Sequence, residues 1–181
     1  CSSGLQAIAT AANAILAGQM DIVCAGGVER MTGMNMDPEH SRPFMDEKLV
    51  ELKPDTYIAM GMTAENVAAQ YGITREEMDQ MAVESHTKAA AAQAAGKFKG
   101  EIVPITVEID GKTVTVLEDE GIRPGTTLEG LSKLKPCFKP DGVVTAATSS
   151  QMTDGASFVV LMARETAEKL GYAPVARFVG F

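Results

Sequence analysis

The sequence predicts an α/β fold interrupted by a large insertion, and three observations carry that prediction. A helical run rich in Ala and Leu over residues 1–17 passes through Gly18 into a short apolar run, Ile22-Val23-Cys24-Ala25, closed by Gly26-Gly27. From Glu29 to about Ala59 the pattern dissolves into Met, Gly, Pro and charge, over a stretch too long for an ordinary connection in a compact domain. Helical and β-rich runs then alternate to the end of the chain. With 181 residues and 45% hydrophobic composition, the chain is long enough for one well-cored domain or for one domain carrying a large insertion.

Each element follows from local signals. Leu5, Ile8, Ala9, Ala12, Ile15 and Leu16 recur at helical spacing, so the first helix is expected to be mostly buried, with Gly18 as its stop and a buried strand after it. Thr63 is positioned to cap a helix running to Tyr71 and ended by Gly72. Thr74 opens a second helix with Glu77 three residues on, the capping-box spacing, and that helix extends to Ala95 before Gly96. Residues 101–109 and 112–117 flank Asp110-Gly111, a hairpin signal. Thr126 and Glu129 repeat the capping-box spacing before a short helix ended by Pro136. A strand is expected at Val143-Val144-Thr145, a further apolar element at Ser157–Met162, a helix at Glu165–Leu170 and a closing strand at Val175–Val179.

Composition excludes several function classes. A net charge of −8 offers no electrostatic footprint for nucleic acid or an anionic membrane surface. No run reaches the roughly 18 apolar residues of a membrane span, and the first residues lack the basic-then-apolar order of a signal peptide. The chain thus reads as soluble and unsecreted. Cys1, Cys24 and Cys137 are odd in number and widely spaced, which argues for a reducing compartment rather than a disulfide framework. With no CxxC pair and no His-rich spacing, neither a metal nor a redox centre is expected.

Chemistry points first to Cys1. At the head of a helix, followed by Ser2, Ser3 and Gly4, a thiol faces unpaired N–H groups and the positive end of the helix dipole, which stabilise a thiolate. The alternative is a small residue merely capping an apolar helix. Cys24, inside an apolar run, and Cys137, between Pro136 and Phe138, read as packing residues. Neither His40, in the insertion, nor His86, among Ser85, Thr87 and Lys88, pairs with Cys1 on sequence grounds, so no acid or base stands out. The cluster Thr148-Ser149-Ser150-Gln151-Met152-Thr153-Asp154-Gly155 is either a ligand loop or a turn satisfying its own backbone, and Arg123 is either a phosphate contact or a surface charge.

Four segments, in order, resemble the thiolase family. Cys1-Ser2-Ser3-Gly4-Leu5-Gln6-Ala7 is similar to the stretch at the nucleophilic cysteine, and Ala25-Gly26-Gly27-Val28-Glu29-Arg30-Met31 to the strand-to-insertion junction. Met60-Gly61-Met62-Thr63-Ala64-Glu65-Asn66-Val67-Ala68 is similar to a loop-domain signature, and Thr145–Gly155, running into Ala156, to the pantetheine-side loop. The resemblance implies that Cys1 forms an acyl-thioester, Ser150 contacts the pantetheine arm, Arg123 lies toward the nucleotide part of coenzyme A, and Met60 lines the acyl pocket. It implies reversible thiolytic cleavage of a 3-oxoacyl-CoA to acetyl-CoA and a shortened acyl-CoA, with coenzyme A as a substrate and no cofactor. Ala59 stands where biosynthetic members tend to have His, and so resembles the degradative branch of fatty-acid oxidation.

The chain departs from the family pattern at Ala147-Thr148 and Thr153, which replace the usual Gly-Asn and Asn. The family's later Asn motif, its Gly-His-Pro histidine and its second cysteine do not occur before Phe181, nor do the strands that precede the nucleophile. The expected fold is therefore a partial thiolase-like αβαβα layered α/β structure: residues 1–28 in the first core domain, 29–127 as an inserted loop domain, 128–181 back in the core, and the second core domain absent. Exposed apolar surface is expected in consequence. The resemblance also implies a homodimer or homotetramer in the full-length form, in the bacterial cytoplasm or another reducing compartment. Two rivals from other classes are an N-terminal nucleophile hydrolase, disfavoured because Cys1 opens a helix rather than a strand, and a non-catalytic acyl-CoA or lipid-binding relative. A ketoacyl synthase is disfavoured by the Met60–Ala68 signature.

Overall fold

The computed structural model describes residues 1–32 and 45–181, which divide into two compact units: residues 1–32 with Met152–Phe181, and residues 45–151. His40 lies outside the described residues.

In the first unit, helix α1 (Ser3–Leu16) leads into strand β1 (Ile22–Glu29), which pairs antiparallel with the late strand here called β4 (Gly155–Met162), from Ile22 opposite Met162 to Glu29 opposite Gly155. Gly26 is required by this ladder, because a Cβ there would collide with the Ser157 carbonyl and the Phe158 backbone. Ala9, Ala11, Ala12 and Ala25 form the buried centre where α1 packs on the two strands. A last helix, α6 (Arg164–Leu170), ends at Gly171 in the left-handed conformation.

The second unit opens with helix α2 (Glu47–Leu52), capped by Asp46, whose Oδ1 accepts from the Leu49 N–H at 2.8 Å, and a 3₁₀ turn (Pro54–Tyr57). Helix α3 (Met60–Tyr71) ends at Gly72, whose φ of 65° lets the Ile73 N–H reach back to the Ala68 carbonyl. Helix α4 (Arg75–Ala94) carries the expected capping box: the Thr74 N–H donates to the Glu77 carboxylate at 2.8 Å, and the Glu77 N–H donates to Thr74 Oγ1 at 3.2 Å. Strands β2 (Ile105–Ile109) and β3 (Lys112–Val116) form the hairpin, with positive φ at both Asp110 and Gly111. Helix α5 (Leu128–Ser132) is held to α4 by Arg75, whose Nε donates to Asp79 at 2.8 Å and whose Nη2 donates to the Leu131 and Leu134 carbonyls at 2.7 and 3.1 Å.

Several expectations are corrected. Helix α3 starts at Met60 rather than after Thr63, because the Met62 and Thr63 N–H groups already donate to the Ala59 carbonyl at 2.9 and 3.1 Å; Gly61 in this first turn leaves room for the Phe138 ring. Thr127, not Thr126, caps α5 by accepting from the Gly130 N–H, while the Thr126 hydroxyl donates to the Arg123 carbonyl at 2.7 Å. Val143-Val144-Thr145 is not a strand, since its N–H groups are taken by side chains. Val175–Val179 is not a strand and pairs with none among the described residues. Residues 45–59, read as patternless, hold α2 and the 3₁₀ turn. In α1, Leu5 and Leu16 are exposed, and only Ala25 of β1 is buried. Cys24 and Cys137 are exposed rather than packed. These residues need covering layers that the described part of their unit does not supply, which accords with the exposed apolar surface expected from the sequence.

Candidate functional site

Cys1 is an exposed free thiol one residue before Ser2, the N-cap of α1. The first turn of α1 holds no acidic residue and receives no side-chain cap, so its N–H groups and the positive end of its dipole are left uncompensated at that end. Gly4 lies against Gly27 of β1, close enough that a Cβ on Gly27 would sit 3.5 Å from the Gly4 Cα. The far end of the same strand is pinned by Asp154, whose Oδ1 accepts the Met31 and Thr32 N–H groups, both at 2.7 Å, and the Thr32 hydroxyl at 3.0 Å. The Thr32 N–H, aided by its hydroxyl and by the Met31 N–H, holds the Asp154 carboxyl below the usual carboxylate range.

The other three residues singled out from the sequence belong to the second unit. Met60 opens α3 and is 78% exposed. Arg123 is held by its backbone from two sides: its N–H donates to His86 Nδ1 at 3.2 Å, and its carbonyl accepts from Thr126. Ser150 is exposed, its hydroxyl donating to the Gln151 carbonyl at 3.2 Å. The Arg123 and Ser150 segments adjoin, since Gly121 approaches Gln151 so closely that a Cβ would lie 2.8 Å from Gln151 Nε2.

Upstream of Ser150 the chain forms a tight 3₁₀ turn (Ala146–Thr148) around the Thr145 carbonyl, which accepts the Ser149 hydroxyl at 2.8 Å and the Thr148 hydroxyl at 3.2 Å. Sequence reasoning missed Glu65, whose carboxylate takes the N–H groups of Val143 and Val144. The available signal was a carboxylate three residues from Ala68 on the buried side of a helix, where it needs donors. His86, expected as a solvated or supporting helix residue, supplies the acceptor for the Arg123 N–H. Among the described residues no group of His, Cys, Asp and Glu is arranged to hold a metal ion, and no helix is long and apolar enough to cross a membrane.

The family model for the N-terminal domain of thiolases matches residues 1–165. The chain is 47% identical to the 3-ketoacyl-CoA thiolase of Bacillus subtilis (strain 168) over 190 aligned residues, covering all of this chain and 48% of that protein. It is 48% identical to the human peroxisomal 3-ketoacyl-CoA thiolase, covering 94% of this chain and 41% of that one. Among solved structures, the acetyl-CoA acetyltransferase of Bacillus anthracis superposes with a TM-score of 0.75 at 42% identity, over 96% of this chain and 46% of that one. The acetyl-CoA acetyltransferase of Syntrophomonas wolfei gives 0.76 at 36% identity. The chain thus spans about half the length of the relatives it matches and carries part of their α/β fold. Sequence and fold agree: the chain belongs to the thiolase family.

Proposed function

We propose that this chain supplies the nucleophile of a degradative 3-oxoacyl-CoA thiolase, with Cys1 as the residue that carries the acyl group. The observation that carries the reading is the exposed free thiol of Cys1 two residues ahead of α1, whose first turn has no side-chain cap and no acidic residue, since the positive end of a helix dipole favours negative charge near it.

The sulfur attacks the 3-oxo carbon, and the C2–C3 bond of the substrate breaks as the electron pair leaves with the acetyl-CoA enolate, which takes up a proton. The shortened acyl group remains on Cys1 as a thioester. The thiol of a second coenzyme A, losing its proton to a base, attacks that thioester and frees Cys1. By the family pattern the base and acid belong to the later Asn, Gly-His-Pro and second-cysteine motifs, and coenzyme A is a substrate, so no further cofactor is called for.

Ser150 then contacts the pantetheine arm and Arg123 the nucleotide phosphates. The adjoining of their segments at Gly121 and Gln151 supports their serving one ligand. Met60 lines the acyl pocket, and Ala59, in place of a polar His, supports the degradative branch. Residues 29–127 are assigned to the family's loop domain, although the compact second unit runs on to residue 151. The full-length protein is a homodimer or homotetramer, and three exposed free thiols fit a reducing compartment.

The test is a Cys1→Ser variant of the full-length protein. Expected are loss of thiolysis, loss of the acyl adduct seen by intact-mass spectrometry of the native enzyme, and retained coenzyme A binding. Undiminished thiolysis by the variant would refute the assignment, and binding without any turnover in the native protein would favour a non-catalytic acyl-CoA carrier.

A further inference from the structure

Glu65 is 6% exposed, and among the described residues no Lys or Arg pairs with it. Its carboxylate instead takes main-chain donors: Oε1 accepts from the Val143 and Val144 N–H groups at 3.0 and 2.9 Å, and Oε2 from the Val143 N–H at 3.0 Å. Gly142 is part of the fit, because a Cβ there would collide with Glu65 Oε1. Hydrogen bonds from N–H groups to a charged acceptor are stronger than neutral ones, and a buried carboxylate has few other ways to be satisfied. The Val144 carbonyl accepts from the Cys137 N–H at 3.0 Å, so this stretch of backbone is fixed on both sides.

The next residue, Thr145, is fully buried, and its main chain organises the turn that ends in Ser150. Its N–H donates to Thr148 Oγ1 at 3.0 Å and its carbonyl collects the Thr148 and Ser149 hydroxyls. The five-residue path from Thr145 to Ser149 closes on itself through these bonds, so moving Val143 and Val144 moves the loop as one piece.

We infer that Glu65 is a positioning residue: it sets the height and orientation of the Thr145–Ser150 loop and thereby the aim of the Ser150 hydroxyl at the pantetheine arm. The inference rests on the reading of Ser150 as a pantetheine contact. It explains why a segment with the composition of a strand uses a side chain, rather than a neighbouring strand, for its N–H groups. A side-chain anchor lets the chain turn sharply into the loop at Thr145, where a ladder would have prolonged it.

The experiment measures binding of coenzyme A and of 3′-phospho-ADP, its nucleotide part without the pantetheine arm, to the full-length protein by calorimetry. Ser150→Ala tests the underlying reading. Glu65→Gln keeps size and one accepting oxygen but turns a donor toward one N–H, and Gly142→Ala leaves the carboxylate's chemistry intact but pushes it aside with the added methyl. Each of the three is expected to weaken coenzyme A about three- to tenfold and to leave 3′-phospho-ADP within about twofold, and Glu65→Gln adds little on top of Ser150→Ala. If Ser150→Ala has no effect, the reading of Ser150 falls and the inference with it. If Ser150→Ala weakens coenzyme A while Glu65→Gln and Gly142→Ala do not, only the positioning role is overturned. Equal weakening of both ligands by Glu65→Gln would make Glu65 a general structural residue, which also overturns it. Should Glu65→Gln fail to fold, Gly142→Ala decides between the same outcomes.

Discussion

The imidazole of His86, on α4, accepts the backbone N–H of Arg123 through Nδ1 at 3.2 Å, and the neighbouring carbonyl of Arg123 is held by Thr126. The base of the arginine side chain is thereby fixed while its guanidinium stays exposed. In this bond Nδ1 acts as the acceptor.

If Arg123 reads the nucleotide phosphates, His86→Ala in the full-length protein should weaken 3′-phospho-ADP binding. Loss of one neutral hydrogen bond, worth about 0.5–1.5 kcal/mol, corresponds to a two- to tenfold rise in Kd at about 25 °C. Arg123→Ala should cost more, and adding His86→Ala to it should cost nothing further. Calorimetric titration of the single and double variants checks both statements.

The pair Arg75–Asp79 is a different kind of interaction, because Asp79 is only 3% exposed and its Oδ1 has no partner among the described residues. Removing the cation with Arg75→Met strands a buried carboxylate and frees the Leu131 and Leu134 carbonyls. We expect a loss of about 3 kcal/mol in denaturant unfolding. The double variant Arg75→Met with Asp79→Leu should recover a large part of that loss, since no uncompensated charge then remains.

Gly26→Ala should be destabilising out of proportion to one methyl group. The added carbon meets the main chain of Ser157 and Phe158, which cannot swing aside as a side chain would, so β1 and β4 must separate. A cost of about 3 kcal/mol, at the upper end for overpacking, is expected in chemical denaturation. Gly155→Ala in the partner strand, where a Cβ meets nothing, should cost much less.

Asp154 gives stability a specific pH dependence. Its folded-state pKa lies below the unfolded value because Thr32 and Met31 donate to the charged form. Its contribution is therefore fully present above the unfolded pKa, near 3.9, and is lost as pH falls through the lower folded-state value. Stability of the native protein and of Asp154→Asn, compared from about pH 6 down to about pH 2, should differ at the upper end and converge at the lower. A difference that stays constant over that range would show that the Asp154 bonds do not depend on its charge.

Much of the local structure was legible in the residues. The Thr74–Glu77 capping box, the Asp110-Gly111 turn and the glycine stops at Gly18 and Gly72 all act over at most a few residues, and each formed where its chemistry required. The errors came where a long-range partner outweighed a local signal. Phe138, far along the chain, packs on Gly61 in the first turn of α3, which starts at Met60 instead of after Thr63, and Glu65 replaces a neighbouring strand at Val143 and Val144. Buried and exposed faces of α1 and β1 were misjudged for a similar reason, since periodicity shows that a face is apolar but not whether anything covers it.

The candidate site divides in the same way. Cys1 at a helix start, the hydroxyl cluster around Ser150 and the ordered family motifs are properties of the sequence by itself, because residue identity and short spacing carry them. Only the tertiary structure decided which groups hold those residues in place: His86 on Arg123, Glu65 beneath the Ser150 loop, Asp154 across the end of β1, and Gly4 against Gly27. Each joins positions more than twenty residues apart, and Asp154 reaches across more than a hundred. A hydrogen bond or a close backbone approach is fixed by distances of about 3 Å, which no local pattern encodes.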